Sequence, residues 1–180
     1  MKVNEIFYSL QGEGFFTGTP AVFIRFSGCN LSCPFCDPDH VAGKQLTEED
    51  IVREVIRHPA SHVVVTGGEP GLQLTASLVE KLHAAEKFVQ IETNGTCELP
   101  EGVDWVTCSP KERGELCVKH IDEIKVVYTG QDLSVFEAME VKAHSLQPCS
   151  CQNTDEVVDY ILKHPIWRLS LQTHKLIDIR

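Results

Sequence analysis

The chain has 180 residues, which is enough for one domain with a sizeable core but short for a full eight-unit α/β barrel. Its formal net charge of −10 argues against a broad phosphate-binding surface, so nucleic acid is not an expected partner. The amino-terminal segment has no apolar signal region, and no apolar run approaches membrane-spanning length. With eight cysteines, the chain is expected to be a single cytoplasmic domain, residues 1–180, in a reducing compartment.

The hydrophobic pattern predicts strands that alternate with helices. Strands are predicted, in chain order, over 3–8, 21–26, 62–66, 88–92, 105–108, 124–128, 144–147 and 167–171. Helices are predicted from an N-cap at Thr47 to about residue 58, and over 74–86, 132–143 and 154–163. Alternation of this kind favours βαβ units and a parallel sheet. With about six such strands, the expected α/β fold is an incomplete (β/α)6-type partial barrel.

Three cysteines occupy one short loop after the second predicted strand. Cys29, Cys33 and Cys36 have the spacing C-x3-C-x2-C. Three thiolates can hold three corners of a [4Fe–4S] cluster and leave the fourth iron open to a small ligand. Zinc is the alternative, because His40 could complete a Cys3His set. The other five cysteines are scattered and are interpreted as free thiols, with metal binding by the Cys149-x-Cys151 pair as the alternative.

Polar motifs follow several of the predicted strands. Gly67-Gly68-Glu69-Pro70 comes one βα unit after the cysteine loop, and further polar segments follow later strands: 92–95, 109–111, 147–148 and 172–175. The carboxyl ends of parallel strands meet at one edge of a sheet, where α/β proteins build their sites. These segments are therefore expected to converge. Glycines at 67 and 68 allow backbone to approach a ligand closely, and a main-chain carbonyl or the Glu69 carboxylate can accept from an ammonium group.

The cysteine spacing and the GGEP motif together resemble the radical S-adenosylmethionine (SAM) superfamily. The motif favours the iron–sulfur interpretation, because a zinc module has no use for it. The resemblance implies a [4Fe–4S] cluster on Cys29, Cys33 and Cys36, with SAM on its open iron as the source of a 5′-deoxyadenosyl radical. It also implies SAM contacts along the strand ends, from Phe35, Cys36, Asp37, Gly68, Glu69, Ser109, Pro110, Lys111, Gln147, Pro148, Cys149 and Ser150.

The two ends of the chain resemble one family within this superfamily. Ser9-Leu10-Gln11-Gly12-Glu13-Gly14 and the segment 168–175, Arg-Leu-Ser-Leu-Gln-Thr-His-Lys, are similar to motifs of the 7-carboxy-7-deazaguanine synthases. The resemblance implies conversion of 6-carboxy-5,6,7,8-tetrahydropterin to 7-carboxy-7-deazaguanine with loss of ammonia, in queuosine and 7-deazapurine biosynthesis. An electron donor such as flavodoxin and a homodimer are implied as partners. The implied substrate contacts are Leu10, Gln11, Gly12, Glu13, Arg25, Thr66, His174 and the main chain of Arg180.

The chain departs from the family at the implied magnesium site. The family has threonine two residues after the last cluster cysteine, where its hydroxyl ligates Mg²⁺, whereas this chain has Pro38. Proline offers neither a side-chain oxygen nor an N–H. Magnesium readily keeps waters, so water or Asp39 could substitute. The prediction is that magnesium still binds, more weakly or with a shifted geometry.

Two other functions are compatible with parts of the sequence. A radical SAM activating enzyme, which acts on a glycine of a partner protein, shares the cluster loop but lacks the two terminal motifs. A zinc-stabilised binding module on Cys29, Cys33, Cys36 and His40 comes from a different class. A brown, air-sensitive protein supports the iron–sulfur interpretation, and a colourless protein with stoichiometric zinc supports the module.

Overall fold

The computed structural model describes residues 1–33, 42–111 and 114–180. The strands are β1 Lys2–Leu10, β2 Pro20–Phe26, β3 Lys44–Gln45, β4 His62–Gly67, β5 Phe88–Thr93, β6 Trp105–Cys108, β7 Glu123–Tyr128, β8 Ala143–Pro148 and β9 Trp167–Leu169. The helices are α1 Glu48–Val55, α2 Ala76–Ala84, α3 Ser134–Glu137, α4 Thr154–Lys163 and α5 Thr173–Leu176, with 3-10 turns at Pro70–Leu72 and Cys149–Cys151.

One mostly parallel sheet contains all nine strands, in the order β3-β1-β2-β4-β5-β6-β7-β8-β9. Strands β2 and β4 to β9 are parallel, and at one edge β1 pairs antiparallel with β2 and β3 pairs antiparallel with β1. The predicted incomplete α/β barrel is confirmed. Seven strands are parallel rather than about six, and the seventh, β9, lies within the predicted strand 167–171.

Short connections explain how so many strands fit into 180 residues. In the part of the chain that the structure describes, neither the segment between β5 and β6 nor that between β6 and β7 contains a helix. The β5–β6 segment has 11 residues, fewer than the dozen or more that a complete βαβ crossover needs, whereas the β6–β7 segment has 14. Within the described residues the partial barrel therefore has fewer helices than strands.

The sheet has one apolar face and one polar face. Alternate residues of the central strands, such as Ile24, Val65 and Ile91, are buried against Ile51 of α1 and Leu78 of α2. The residues between them face the opposite side, as the strand period of two requires. That inner face is buried but polar, and it carries His62, Gln90, Thr107, Glu123, Lys125, Ser145 and Gln147. The apolar core therefore lies under the helices, and the inside of the barrel holds the groups capable of chemistry.

Side-chain caps set where the first two helices begin. Thr47 is the N-cap of α1, as predicted, and it forms a capping box with Asp50, although the helix ends at Val55 rather than near residue 58. Helix α2 begins at Ala76 rather than 74, because the Thr75 hydroxyl accepts from Leu78 N at 3.1 Å and fixes the N-cap there.

The helix predicted over 132–143 is wrong for most of its length. Only Ser134–Glu137 is helical, and Ala143 already belongs to β8, where it pairs with Glu123 of β7. The connection must return to the sheet within a few residues, and this requirement overrides local helix propensity.

In the described ranges, no helix is long and apolar enough to span a membrane.

Candidate active site

A cavity of about 310 Å³ lies on the inner face of the sheet. It is lined by all eight residues that the sequence predicted as substrate contacts, namely Leu10, Gln11, Gly12, Glu13, Arg25, Thr66, His174 and Arg180. These residues come from β1, the β1–β2 loop, β2, β4 and the C-terminal segment. The fold thus brings together positions separated by up to 170 residues of sequence.

The antiparallel direction of β1 places the Gln-Gly-Glu-Gly segment in this cavity. Strand β1 ends opposite the start of β2, since Leu10 pairs with Pro20, so residues 11–14 turn in across the amino end of the parallel strands. Phe15 N donates to Glu123 Oε1 at 2.9 Å, and Gly14 N donates to Ser170 Oγ at 2.9 Å. The loop is therefore anchored by side chains of the barrel interior.

The C-terminal segment closes over this loop at Gly12. Thr173 donates to the Gly12 carbonyl through both its N and its Oγ1, each at 2.9 Å. A Cβ on Gly12 would lie 2.2 Å from His174 Nδ1, a separation that real Cβ atoms essentially never show. Glycine at 12 is thus required by the close approach of the imidazole, and not by a turn.

A lysine flanked by two carboxylates forms the polar floor of the cavity. Lys125 Nζ donates to Glu13 Oε2 at 2.8 Å and to Glu92 Oε2 at 2.7 Å, and all three residues line the cavity. Gln172 Nε2 donates to Glu13 Oε1 at 2.8 Å, and Gln11 Nε2 donates to Glu92 Oε1 at 3.1 Å. Buried charges need such partners, because an unpaired one costs several kcal/mol.

The two carboxylates titrate differently although they share one cation. Burial raises the pKa of Glu92 to about 7, against the opposing effect of Lys125, and neighbouring Glu13 and Glu123 add to the rise. Burial also acts to raise the pKa of Glu13, but Lys125, Gln172 and His174 outweigh it and lower that pKa to about 2. Burial lowers the pKa of Lys125, and the two carboxylates overcome it, so the net direction is upward. The site therefore holds a firmly charged Glu13 and Lys125 beside a Glu92 that titrates near neutrality.

Arg25 enters the cavity from β2 with its orientation fixed by β1. Its Nε donates to Glu5 Oε1 at 2.9 Å, and its guanidinium lies 5.7 Å from the centre of the Phe7 ring. Register explains the pair, because Glu5 and Arg25 are direct cross-strand partners. The planar fork suits a carboxylate ligand.

His174 adds a neutral ring to the same cavity. Burial lowers its pKa, and the positive charges of Lys175, Lys125 and Arg25 act in the same direction, against Glu13. At neutral pH the imidazole is therefore uncharged and offers one donor and one acceptor nitrogen.

The GGEP turn joins the cysteine loop to the loop after β5. Glu69 N donates to the Gly28 carbonyl at 2.9 Å, and a Cβ on Gly68 would lie 2.0 Å from the same oxygen. The Glu69 side chain is fully buried and accepts from Thr93 Oγ1 at 2.7 Å, Asn94 N at 2.7 Å and Gly71 N at 2.8 Å. The Glu69 carboxylate is therefore engaged within the protein.

The described part of the cysteine loop fits the ligand set of an iron–sulfur cluster. Cys29 and Cys33 are free, partly accessible thiols at the carboxyl end of β2. Leu31 N donates to Cys29 Sγ at 3.4 Å, and Asn94 Nδ2 lies 3.9 Å from the same sulfur, contacts that suit a thiolate. Cys36 and the zinc candidate His40 lie outside the described residues, as do Phe35, Asp37, Pro38 and Asp39.

The other predicted SAM contacts lie along the carboxyl edge of the sheet. Ser109 follows β6, and its Oγ accepts from Lys111 Nζ at 2.8 Å. Pro110 and Lys111 line a separate depression of about 380 Å³. The segment 147–150 ends β8, where Gln147 is buried and Cys149 N donates to Asn153 Oδ1 at 2.8 Å. These described groups follow the carboxyl ends of β6 and β8.

Seven lining residues were not among the predicted contacts: Phe7, Phe23, Val64, Glu92, Lys125, Gln172 and Lys175. Glu92, Gln172 and Lys175 stood in motifs that the sequence analysis had placed at strand ends. Lys125 carried a weaker signal, a lone charge inside a buried apolar strand, where an unpaired ammonium is not tolerated.

Comparison with known proteins first identifies the class. The model of the Radical SAM superfamily matches residues 23–125, more than half of the chain. The chain therefore belongs to that superfamily, whose members use a [4Fe–4S] cluster and SAM.

The narrower family follows from full-length relatives. A 7-carboxy-7-deazaguanine synthase of Bacteroides thetaiotaomicron is 60% identical over 99% of this chain and 98% of its own length. One of Bradyrhizobium diazoefficiens is 39% identical, with the same two coverages.

A solved structure agrees with the sequence relatives. The crystal structure of QueE from Escherichia coli superimposes with a TM-score of 0.83 at 31% identity, over 96% of this chain and 94% of that one. The chain is a member of the 7-carboxy-7-deazaguanine synthase family of radical SAM enzymes.

Proposed function

We propose that this chain converts 6-carboxy-5,6,7,8-tetrahydropterin to 7-carboxy-7-deazaguanine with loss of ammonia, in the biosynthesis of queuosine and other 7-deazapurines. Family membership supports the reaction. The observation that carries the substrate assignment is the inner-face cavity, because every residue implied as a pterin contact lines it.

The charged floor of the cavity suits the pyrimidine ring of a pterin. That ring carries an amino group and an amide N–H, which are hydrogen-bond donors. Glu13 and Glu92 supply carboxylate acceptors, held apart by Lys125, and the main chain of 10–12 adds further polar atoms. Arg25 provides the cation for the carboxylate at C6 of the pterin.

The cluster is proposed to be held by Cys29, Cys33 and Cys36. The proposed SAM contacts are Phe35 to Asp37, the main-chain atoms of Gly68 and Glu69, Ser109 to Lys111, and Gln147 to Ser150. When bound, cluster and cofactor supply the 5′-deoxyadenosyl radical that removes hydrogen from C6. The chain's own residues hold the pterin still: the Gly12–Thr173 contact closes the C-terminal segment over the ring, and the neutral His174 keeps an uncharged face beside it.

Magnesium and the macromolecular partners complete the proposal. Mg²⁺ is proposed to bind near Pro38 with water or Asp39 in place of the family's threonine hydroxyl. A flavodoxin-like protein is proposed as the electron donor, the functional unit as a homodimer of single-domain chains of 1–180, and the location as the cytoplasm.

Anaerobic turnover of the carboxytetrahydropterin with SAM and a reductant tests the function. Formation of 7-carboxy-7-deazaguanine and ammonia is expected. Deoxyadenosine without any deazapurine would retain the superfamily chemistry and overturn the substrate assignment. Arg25→Ala is expected to keep the cluster and to raise the KM, since it replaces no cysteine and its guanidinium is held by Glu5 and the Phe7 ring.

A further inference from the structure

Two guanidinium groups from opposite ends of the chain meet at one side of the cavity. Arg25 Nε donates to Glu5 Oε1 at 2.9 Å, and Arg180 Nη2 donates to the other oxygen, Glu5 Oε2. Both guanidinium groups also lie over the Phe7 ring, at 5.7 Å for Arg25 and 5.1 Å for Arg180. One carboxylate and one aromatic ring therefore hold two arginines that are distant in sequence next to each other.

The two arginines share one side-chain carboxylate. Each guanidinium has five N–H donors and donates one of them to a different oxygen of Glu5, which leaves donors of both groups for a further acceptor. Arg25, Arg180 and Phe7 line the cavity, whereas Glu5 is not among the lining residues. Both guanidinium groups are thus presented to the cavity side by side. A ligand carboxylate placed there would complete an alternating set of two cations and two anions.

Backbone contacts keep Arg180 in this position. Ser9 Oγ donates to the Arg180 carbonyl at 2.6 Å, and Ile179 N donates to the His174 carbonyl at 3.0 Å. The side chain of Arg180 is nevertheless 69% exposed, so its ion pair with Glu5 is weak in water by itself. Its arrangement beside Arg25 is more consistent with ligand recognition than with stabilisation of the fold.

We propose that the Arg180 side chain is a specificity-determining residue that forms, with Arg25, a two-arginine clamp for the carboxylate of the ligand. Glu5 is the positioning residue of the clamp. The proposal rests on the proposed function and deepens it, because the resemblance implied only a main-chain role for Arg180. The clamp makes the cavity select carboxylated heterocycles over the same ring without a carboxylate.

The test compares two ligands that differ only in that group. Equilibrium dialysis under anaerobic conditions measures binding of pterin-6-carboxylate and of unsubstituted pterin to the cluster-loaded protein with SAM. Arg180→Ala is expected to weaken pterin-6-carboxylate binding about 5- to 10-fold and to change pterin binding less than about twofold. Arg180→Lys keeps the charge without the planar fork and is expected to fall between Arg180→Ala and the unsubstituted protein.

Arg57→Ala is the matched control, since it removes an exposed guanidinium that pairs with Glu54 just after α1. It is expected to leave both affinities unchanged. An equal loss for both ligands in Arg180→Ala, or no loss for either, would overturn the clamp while leaving the pterin assignment intact. An unsubstituted protein that binds neither ligand would overturn the clamp, and anaerobic turnover of the carboxytetrahydropterin decides the proposed function separately.

Discussion

Lys125 Nζ and Glu92 Oε2 lie 2.7 Å apart on the inner face of the sheet, two strands from each other, with Glu13 on the other side of the ammonium. The contact links β5, β7 and the β1–β2 loop at the floor of the cavity. Because Lys125 is almost fully buried, its ion pairs stabilise the fold. The two carboxylates that it holds also supply hydrogen-bond acceptors to the cavity.

Lys125→Met is expected to destabilise the protein by about 3–5 kcal/mol, because it leaves two buried carboxylates without a cation. Denaturant unfolding measures the change. One carboxyl should take up a proton in the variant, so its deficit should shrink as pH falls. Lys119→Met is the control, since Lys119 is 83% exposed in a surface pair with Glu98, and it should change stability by less than about 0.5 kcal/mol. A pH-independent deficit in Lys125→Met would contradict the assigned role.

Glu92 and Glu13 should contribute to the pH dependence of stability with opposite signs. The folded pKa of Glu92, about 7, lies above its ordinary value of 4.5, so the folded state binds more protons and the Glu92 contribution falls as pH rises from 4.5 to 7. The folded pKa of Glu13, about 2, lies below 4.5, so its contribution is complete above 4.5 and is lost as pH falls towards 2.

Unfolding curves of Glu92→Gln and Glu13→Gln across pH separate the two effects. Relative to the unsubstituted protein, Glu92→Gln should flatten the decline between pH 4.5 and 7, by about 3 kcal/mol at most. Glu13→Gln should instead flatten the loss below pH 4.5. Identical profiles for the two variants would show that the carboxylates do not titrate independently in this way.

The sequence predicted the elements that have a local cause and missed those that depend on distant pairing. Thr47 and its capping box are local, and the start of α1 was correct. The two-residue strand β3 exists only because it pairs with β1, more than 40 residues earlier, so no local pattern could indicate it. The role of Lys125 also depends on a distant residue. Its ammonium pairs with Glu13, which is 112 residues away in sequence and is brought close by the β1–β2 loop. The substrate-contact residues were named by resemblance to a family, and only the fold shows that they share a cavity.

Gly12→Ala should loosen the closure of the cavity without unfolding the sheet. The new Cβ would overlap His174 Nδ1, so the segment 172–180 must move. We expect at least a tenfold increase in KM and faster amide exchange in 172–180, with unchanged exchange in β4 and β5. Thr173→Val is a milder companion change, because it removes only the Oγ1 hydrogen bond to Gly12 and keeps the one from N. Unchanged exchange of 172–180 in Gly12→Ala would contradict closure at this contact.

Pro38→Thr should raise the affinity for magnesium, because it restores a hydroxyl ligand at the family's metal position. After chelation, activity is measured against Mg²⁺ concentration, and half-maximal activity should need less metal in the variant. Asp39→Asn tests the proposed substitute ligand and should require more metal. If chelation leaves the activity of the unsubstituted protein unchanged, magnesium has no part in the reaction.

Cys33→Ala and Cys97→Ala should have opposite effects on the cluster although both thiols belong to the same region. Cys33 is one of the three proposed ligands, so its loss should abolish iron binding, brown colour and SAM cleavage.

Cys97 Sγ lies 4.0 Å from Asn30 Nδ2, beside the cysteine loop, but it is outside the C-x3-C-x2-C motif. Burial raises the pKa of its thiol, with lesser increases from Glu69, Cys117 and Cys29, which disfavours the thiolate that a metal requires. Cys97→Ala should therefore keep iron content and activity close to those of the unsubstituted protein. Iron and acid-labile sulfide analysis after anaerobic reconstitution measures both outcomes. Stoichiometric zinc in place of iron in the unsubstituted protein, lost in Cys33→Ala, would instead identify the loop as a zinc site.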